Sequence, residues 1–175
     1  MIYTPGEDSY LLEKYLKKFS KNKKVLDIGS GTGILAEAAK KAKAKSVLAS
    51  DINTESIKLL KKKNIKSVKS NLFEKIKGKF DLIVFNPPYL PEDKRENEES
   101  RRATTGGKKG DEIILKFLKQ AKKHIKKDGK ILIIISSLTP QNKINNLLKK
   151  QNMSKRVLEK KSFFFEKIMV WEISF

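Results

Sequence analysis

The sequence predicts an α/β protein: a mostly parallel sheet with helices on both faces and an antiparallel hairpin at its C-terminal end. Three observations carry that prediction. Short aliphatic runs at 25–28, 46–51, 80–85 and 130–136 alternate with stretches whose apolar residues recur at helical spacing. The first run leads directly into Gly29-Ser30-Gly31-Thr32-Gly33 and then a helical pattern, the strand–turn–helix order of a nucleotide-binding unit. The run at 80–85 is apolar at nearly every position, as in a strand covered on both faces, and stops abruptly at Asn86-Pro87-Pro88-Tyr89.

The 175 residues fit one domain spanning 1–175 with a sizeable core. Cysteine is absent, which excludes disulfides and thiolate metal sites and suits a reducing, cytoplasmic setting. His124 is the only histidine, so no histidine-based metal cluster can form within one chain. Set among lysines on a predicted helix, it reads as a surface residue. The N-terminus lacks a basic segment followed by an apolar one, so no signal peptide is expected, and the longest aliphatic run, 131–135, is far too short to span a bilayer. The net charge of +20 admits two readings. Only four of the 40 basic residues are arginine (Arg95, Arg101, Arg102 and Arg156), and the lysines are spread along nearly every helix, which suits a solvated, lysine-rich surface. The same surface would attract polyanions, nucleic acid included, or an acidic partner.

In chain order, polar residues at 3–9 lead into a helix whose apolar face is Leu11, Leu12, Tyr15, Leu16 and Phe19. Glu7 and Asp8 suit its N-terminus, where acids are favoured. Val25-Leu26-Asp27-Ile28 is the first strand, and the helix after the glycine turn has Ile34, Leu35, Ala38, Ala39 and Ala42 on one face. The second strand ends in Asp51, 24 residues beyond Asp27, where a carboxylate could grip a ribose diol. Asn53 can cap the next helix, which buries Ile57, Leu59 and Leu60. Ser67-Val68-Lys69 reads as a short third strand at the sheet's edge, ended by 70–73 at the carboxyl rim. Residues 90–110 form a long, densely charged connector, read as a lid or substrate-contacting loop. Asp111 is expected to cap a helix with Ile113, Ile114, Phe117, Leu118, Ala121 and Ile125 inside and Gly129 ending the unit. A fifth strand follows at 130–136, then a helix with Pro140 at its first position and Ile144, Leu147 and Leu148 inside. Strands at 157–161 and 167–174 close the chain as a hairpin, with Phe163, Phe164, Phe165 and Trp171 filling core or sheet-edge space.

Chemistry concentrates at 86–89. Neither proline has an N–H to give a ladder, so the strand cannot continue, and Pro87 pushes Asn86 towards extended geometry. A stiff corner bearing carbonyls thus sits at the carboxyl end of a buried strand, the end at which open α/β sheets bind ligands. Asn86 offers an amide oxygen, Pro87 a rigid carbonyl, Tyr89 a flat face and a hydroxyl. Together they could hold a planar NH2 group by both hydrogens, in a carboxamide or in the exocyclic amine of a base. The nitrogen of such a group is a poor nucleophile because its lone pair is delocalised. Two acceptors on its hydrogens favour rehybridisation and aim the lone pair at an electrophile. The bland alternative is a strand-end turn, for which Asn-Pro is a common signal.

The glycine spacing, Gly-x-Gly-x-Gly after Asp27, differs from the dinucleotide form Gly-x-Gly-x-x-Gly. It resembles the D/E-x-G-x-G-x-G loop of class I S-adenosylmethionine-dependent methyltransferases. Five strands alternating with helices, then a terminal hairpin, follow the order of that Rossmann-like, seven-stranded fold. The corner Asn86-Pro87-Pro88-Tyr89 resembles two groups: amino-methyltransferases acting on adenine or guanine, and the HemK-like protein-glutamine methyltransferases. Tyr3-x-Pro5-x-Glu7-Asp8-Ser9-x-Leu11-Leu12, and Gly106-Gly107-x-x-Gly110 before a helix, are similar to the small archaeal and eukaryotic branch of the second group. No large N-terminal domain of the kind bacterial relatives carry is expected, which matches that branch too. The resemblance covers nearly the whole chain and is loosest towards its C-terminal end.

The resemblance implies an N-methyltransferase of the glutamine side chain in the Gly-Gly-Gln motif of class I peptide chain release factors. Its cofactor would be S-adenosyl-L-methionine and its product S-adenosyl-L-homocysteine. Cofactor contacts are implied for Ser9, Asp27, Gly29, Gly31, Gly33, Asp51, Asn71, Leu72 and Asn86, with 1–20 as a helix and cofactor-covering segment. Substrate contacts are implied for Asn86, Pro87, Pro88 and Tyr89, with Asn86, Pro87 and Tyr89 catalytic. Asn71 stands where relatives usually carry an aspartate bound to the adenine amine; it keeps an acceptor oxygen and loses the charge. Relatives also work as heterodimers with a small zinc-binding activator subunit beside the third strand, and the short edge at Ser67–Lys69 is compatible with strand pairing to one. Amino-methylation of adenine N6 or guanine N2 in nucleic acid, which the basic surface supports, and methylation of protein lysine are the alternatives. Neither a metal site in this chain nor a membrane partner is expected.

Overall fold

The computed structural model describes residues 5–92, 104–163 and 165–175. Five strands run parallel: β1 (Lys24–Ile28), β2 (Ser46–Asp51), β3 (Ser67–Lys69), β4 (Phe80–Phe85) and β5 (Ile125–Ser136). β7 (Lys167–Ser174) lies antiparallel between β5 and β6 (Ser154–Ser162), giving a seven-stranded sheet in the order β3-β2-β1-β4-β5-β7-β6. The third strand is thus an edge, as its shortness implied. The helices are α1 (Glu7–Ser20), α2 (Ile34–Lys41), α3 (Thr54–Lys62), α4 (Glu112–His124) and α5 (Gln141–Lys150).

Alternate strand residues face opposite sides, and both sides are covered. Leu26, Ile28, Ile83, Phe85, Ile131, Ile133 and Trp171 pack towards Ile114, Phe117 and Leu118 of α4 and Ile144 and Leu148 of α5. Val25, Leu82, Val84, Leu132, Ile134 and Val170 pack on the other side against Leu12 and Leu16 of α1 and Leu35 and Ala39 of α2. This double burial is why the central strands read as unbroken aliphatic runs. Asn53 caps α3 as expected, its side chain accepting from the Glu55 N–H at 2.8 Å.

Register levels the strand ends. Ile28 pairs with Ser50 on one side and Phe85 on the other, and Asp51 pairs with Lys69. Gly29, Asp51 and Asn86 therefore leave the sheet side by side at the carboxyl rim. Gly33 starts α2 with φ +87°, and a Cβ there would stand 2.7 Å from Leu60 Cδ2. Its missing side chain serves the packing of α2 on α3.

Several local expectations change. Asp111 occupies the cap position of α4, but its carboxylate makes no capping bond; it is buried without a hydrogen-bond partner. α4 ends at His124, and Ile125 opens β5, pairing with Phe80 before a register shift to Leu82↔Lys130. Ile125 is buried, as its pattern required, but as strand. Gly129 lies under its side chain: a Cβ there would be 2.7 Å from Ile125 Cδ1. Pro140 is the extended residue before α5 and Gln141 the first helical one. His124 is half-buried, stacked on Phe73 at 4.9 Å with Nδ1 3.1 Å from the Gly78 carbonyl oxygen. Trp171 is core and Phe163 half-buried, whereas Phe165 is 87% exposed at the β6–β7 turn. Phe164, residues 1–4 with Tyr3 of the opening signature, and residues 93–103 of the expected substrate loop lie outside the described residues. No helix among those described is long and apolar enough to cross a membrane.

Gly33→Ala should lower the free energy of unfolding by about 1–3 kcal/mol in urea titration, through the positive φ and the collision with Leu60. Combining it with Leu60→Val should recover part of that loss.

Candidate functional site

The parallel register puts a row of chemistry-bearing residues along one rim. In sheet order these are Asn71 beyond β3, Asp51 at the end of β2, the glycine turn after β1, and Asn86 after β4. Gly29 (φ +63°) is exposed, and only the Phe85 ring approaches the place of its absent Cβ, at 3.3 Å. Gly31 also has positive φ, +52°. The Asp51 carboxylate knits the turn to β2: Oδ2 accepts from the Gly31 N–H at 2.8 Å and Oδ1 from the Asn53 N–H at 2.8 Å.

Asp27, one residue before β1 ends, is fully buried, and neither carboxylate oxygen has a hydrogen-bond partner. Burial pushes its carboxyl up to about 7. The Ser30 hydroxyl works against that rise, the neighbouring Asp51 carboxylate adds to it, and the Ala36 N–H again offsets. The Ser30 hydroxyl also donates to the Asp27 carbonyl at 3.0 Å.

The Asn86–Tyr89 corner is held from three sides. From α1, Asn86 Nδ2 donates to Asp8 Oδ2 at 3.1 Å and to Ser9 Oγ at 3.2 Å, and the Tyr89 hydroxyl donates to Asp8 Oδ2 at 3.2 Å. From the β5–α5 connection, the Thr139 hydroxyl donates to the Tyr89 carbonyl at 3.1 Å. From the segment before α4, Gly106 N–H donates to the Leu90 carbonyl at 2.9 Å, and a Cβ on Gly106 would stand 2.7 Å from the Pro88 carbonyl oxygen. Asn86 Oδ1 is left buried and without a hydrogen-bond partner. Pro87 is buried; Pro88 and Tyr89 are half-buried.

Of the expected residues, Ser9, Asn86 and Tyr89 meet around Asp8, and Asp51 is bonded to the glycine turn at Gly31, while Asn71 and Leu72 follow β3 at the same rim. Ser9 touches Asn86, and Gly33 serves helix packing. Asn71 donates from Nδ2 to Glu74 at 2.8 Å, which leaves its oxygen as the acceptor. Leu72 holds φ +49°, an uncommon state for a side-chain-bearing residue. Sequence reasoning missed Asp8, which helix-end acidity explained away, and Ile52, which is 64% exposed beside Asp51. The Glu7-Asp8-Ser9 string was the available signal for the first; Ile52 carried none. Among the described residues no group of three or more acids and histidine could hold a metal.

The profile of the family described as "Methyltransferase small domain" matches residues 7–165. The chain belongs to that family. A Methanocaldococcus jannaschii protein provisionally named protein N5-glutamine methyltransferase is 41% identical over 97% of this chain and 89% of its own length. The release factor glutamine methyltransferase of Borreliella burgdorferi is 34% identical over 70% of this chain, a match spanning about half (49%) of the relative. Among solved structures, the Mtq2–Trm112 complex of E. cuniculi, described as methylating the eRF1 translation termination factor, superposes with a TM-score of 0.82. It covers 99% of this chain and 98% of that one at 24% identity, a likeness of fold. The chain is accordingly a methyltransferase of the S-adenosylmethionine-dependent kind, with the class I fold.

Asp27→Asn tests the buried carboxyl. Its folded pKa lies above the unfolded value of 3.8, so its contribution to stability is full below pH 3.8 and is lost as pH rises through 7. The variant lacks that loss. In urea titrations from pH 4 to pH 8 the parent should lose ground to Asp27→Asn by up to about 4 kcal/mol, levelling off above pH 8.

Proposed function

We propose that the chain transfers a methyl group from S-adenosyl-L-methionine to the side-chain amide nitrogen of the glutamine in the Gly-Gly-Gln motif of a class I release factor. One observation carries the reading. The Asn86 nitrogen is committed to α1, which leaves its oxygen buried and without a donor, on the residue that follows β4 at the level where β1 enters the glycine turn and that precedes the rigid Pro87. A primary amide fits two such acceptors, and the names of the relatives point to the same substrate.

The donor set suits the cofactor. The unpartnered Asp27 carboxylate offers itself to a cationic amine, and exposed Gly29 allows close approach to backbone. The Asp51 oxygens, each with one N–H, keep lone pairs for a ribose diol. The Asn71 oxygen accepts from an adenine amine, and Leu72 and exposed Ile52 give the base apolar surface. When bound, S-adenosylmethionine supplies a sulfonium methyl already activated for transfer. The work left to the chain is positioning. Asn86 Oδ1 and the Pro87 carbonyl would accept both N–H bonds of the glutamine amide, draw its lone pair out of resonance, and orient the nitrogen for attack on the methyl group. Pro88 stiffens the corner, and the Tyr89 ring packs on the amide plane with its hydroxyl engaged by Asp8. The nitrogen turns strongly acidic as it gains the methyl, so its surplus proton passes to water without a histidine or cysteine base.

A small partner subunit of the kind named in the Mtq2–Trm112 complex would pair along β3, where three residues form an open margin. A zinc-binding partner and a cytoplasmic setting, where release factors act, complete the reading.

Labelled S-adenosylmethionine, a class I release factor and the purified chain test it, with mass spectrometry locating the methyl. The label should sit on the Gly-Gly-Gln glutamine and be absent from a factor with alanine there; transfer to RNA, DNA or lysine instead would overturn it. Asn86→Ala should keep cofactor affinity within several-fold by calorimetry while turnover falls by at least about 10²–10³-fold. Full activity in that variant would remove the mechanism.

A further inference from the structure

We propose that Asp8 decides which end of the Asn86 amide faces the substrate, and so acts as a positioning residue for the transfer; this rests on the reading of Asn86 as an acceptor for the glutamine amide. An asparagine is ambiguous as a recognition group. Turned one way it presents an oxygen, which accepts. Turned by half a revolution it presents NH2, which would confront the two N–H bonds of an incoming amide with two more. The two orientations have nearly the same shape, so packing does not choose between them; the hydrogen-bond network does.

Asp8 lies buried in the first turn of α1, with Oδ2 3.1 Å from Asn86 Nδ2. A carboxylate only accepts, so only the nitrogen end of the amide can face it. Ser9 adds a second constraint. Its Oγ lies 3.3 Å from Asp8 Oδ1 and 3.2 Å from Asn86 Nδ2. The hydroxyl gives its proton to the carboxylate and so turns a lone pair towards the amide. Both Asn86 hydrogens are thereby drawn to α1, and Oδ1 is left buried with nothing donating to it. The Tyr89 hydroxyl, 3.2 Å from the same Asp8 oxygen, has its direction set by the same charge. The carboxylate is itself held, with the Ser9 N–H 2.6 Å from Oδ1, and α1 is anchored through buried Leu11, Leu12 and Leu16. The Ser9 and Tyr89 hydroxyls and one Asn86 hydrogen run to Asp8, the other Asn86 hydrogen runs to Ser9, and Asn86 Oδ1, the oxygen that a substrate amide needs, is left without a donor.

Asp8→Asn keeps the size and removes the direction, because its own NH2 can bond Asn86 Oδ1 and occupy it. With S-adenosylmethionine and a class I release factor, turnover by Asp8→Asn should fall about ten- to a hundredfold in kcat, as for the loss of a charge-assisted bond. Affinity for S-adenosylhomocysteine by calorimetry and the melting temperature should stay near parental. The Asp8→Asn/Asn86→Ala double variant should be no worse than Asn86→Ala alone. A second readout needs no substrate. In protein labelled with ¹⁵N-asparagine, the side-chain NH2 pair that disappears in Asn86→Ala should exchange slowly in the parent and become fast-exchanging in Asp8→Asn. Parental turnover in Asp8→Asn, an unchanged Asn86 NH2 signal, or a loss matched by loss of folded protein would each overturn the proposal. Asn86→Ala inactive beside a fully active Asp8→Asn would sink the positioning role alone. Parental turnover in Asn86→Ala would sink the acceptor reading and this proposal together.

Discussion

Two prolines without N–H groups end β4 immediately beyond the pairing of Phe85 with Ile28, at the level where β1 turns on Gly29. Most of the candidate site depends on that coincidence. Had β4 run two residues further, Asn86 would face a neighbouring strand with its backbone engaged in the ladder. Because the ladder stops there, Asn86 and the Pro87 carbonyl stand free of the sheet beside a turn that exposes backbone. The Gly106 and Thr139 contacts then hold the corner against shifting, so its rigidity comes from the prolines and from both flanking segments.

The charges at the rim run against those of the molecule. The chain carries a net +20, yet Asp8, Asp27 and Asp51 cluster there, all largely buried. Asp8 and Asp51 are engaged by N–H and O–H donors, while Asp27 has none. A site with acid on its inner wall suits a donor molecule bearing a sulfonium and an ammonium group. The surrounding lysines lie outside it, as exposed ends or in pairs such as Lys14–Glu159 and Lys126–Asp81. The basic surface and the acidic rim are thus electrostatically distinct, and the acid at the rim favours a small cation.

Much of the architecture was legible because local pattern and tertiary role coincide. Doubly buried strands gave unbroken aliphatic runs, Gly29, Gly31 and Gly33 fell where φ is positive, and Asn53 capped the helix it preceded. The glycine turn, Asp51 and the Asn86 corner could be read together because register, which the strand runs imply, brings their ends level. What escaped has identifiable causes. Asp8 satisfies a helix-end rule and bonds Asn86 and Tyr89 at once, and the rule hid those contacts. Asp111 stands at a cap position with the residue type of a cap, yet its buried carboxylate makes no capping bond. Ile125 follows the helical period of α4, but the period cannot say that the chain straightens at that residue. Phe165 was assigned to core or sheet-edge space on type alone, and its place at the β6–β7 turn overrides that preference.

The sheet's two margins are guarded unequally. β6 is a nine-residue border carrying Lys155, Arg156, Glu159, Lys160 and Lys161, nearly all solvent-facing. At the opposite end β3 offers three residues and a single lysine. Like charges repel when one copy's long border meets another's, so stacking of identical chains through β6 is discouraged. Of the two borders, the one without that run of charge is the short edge at β3, separated from β1 and its glycine turn by β2 alone.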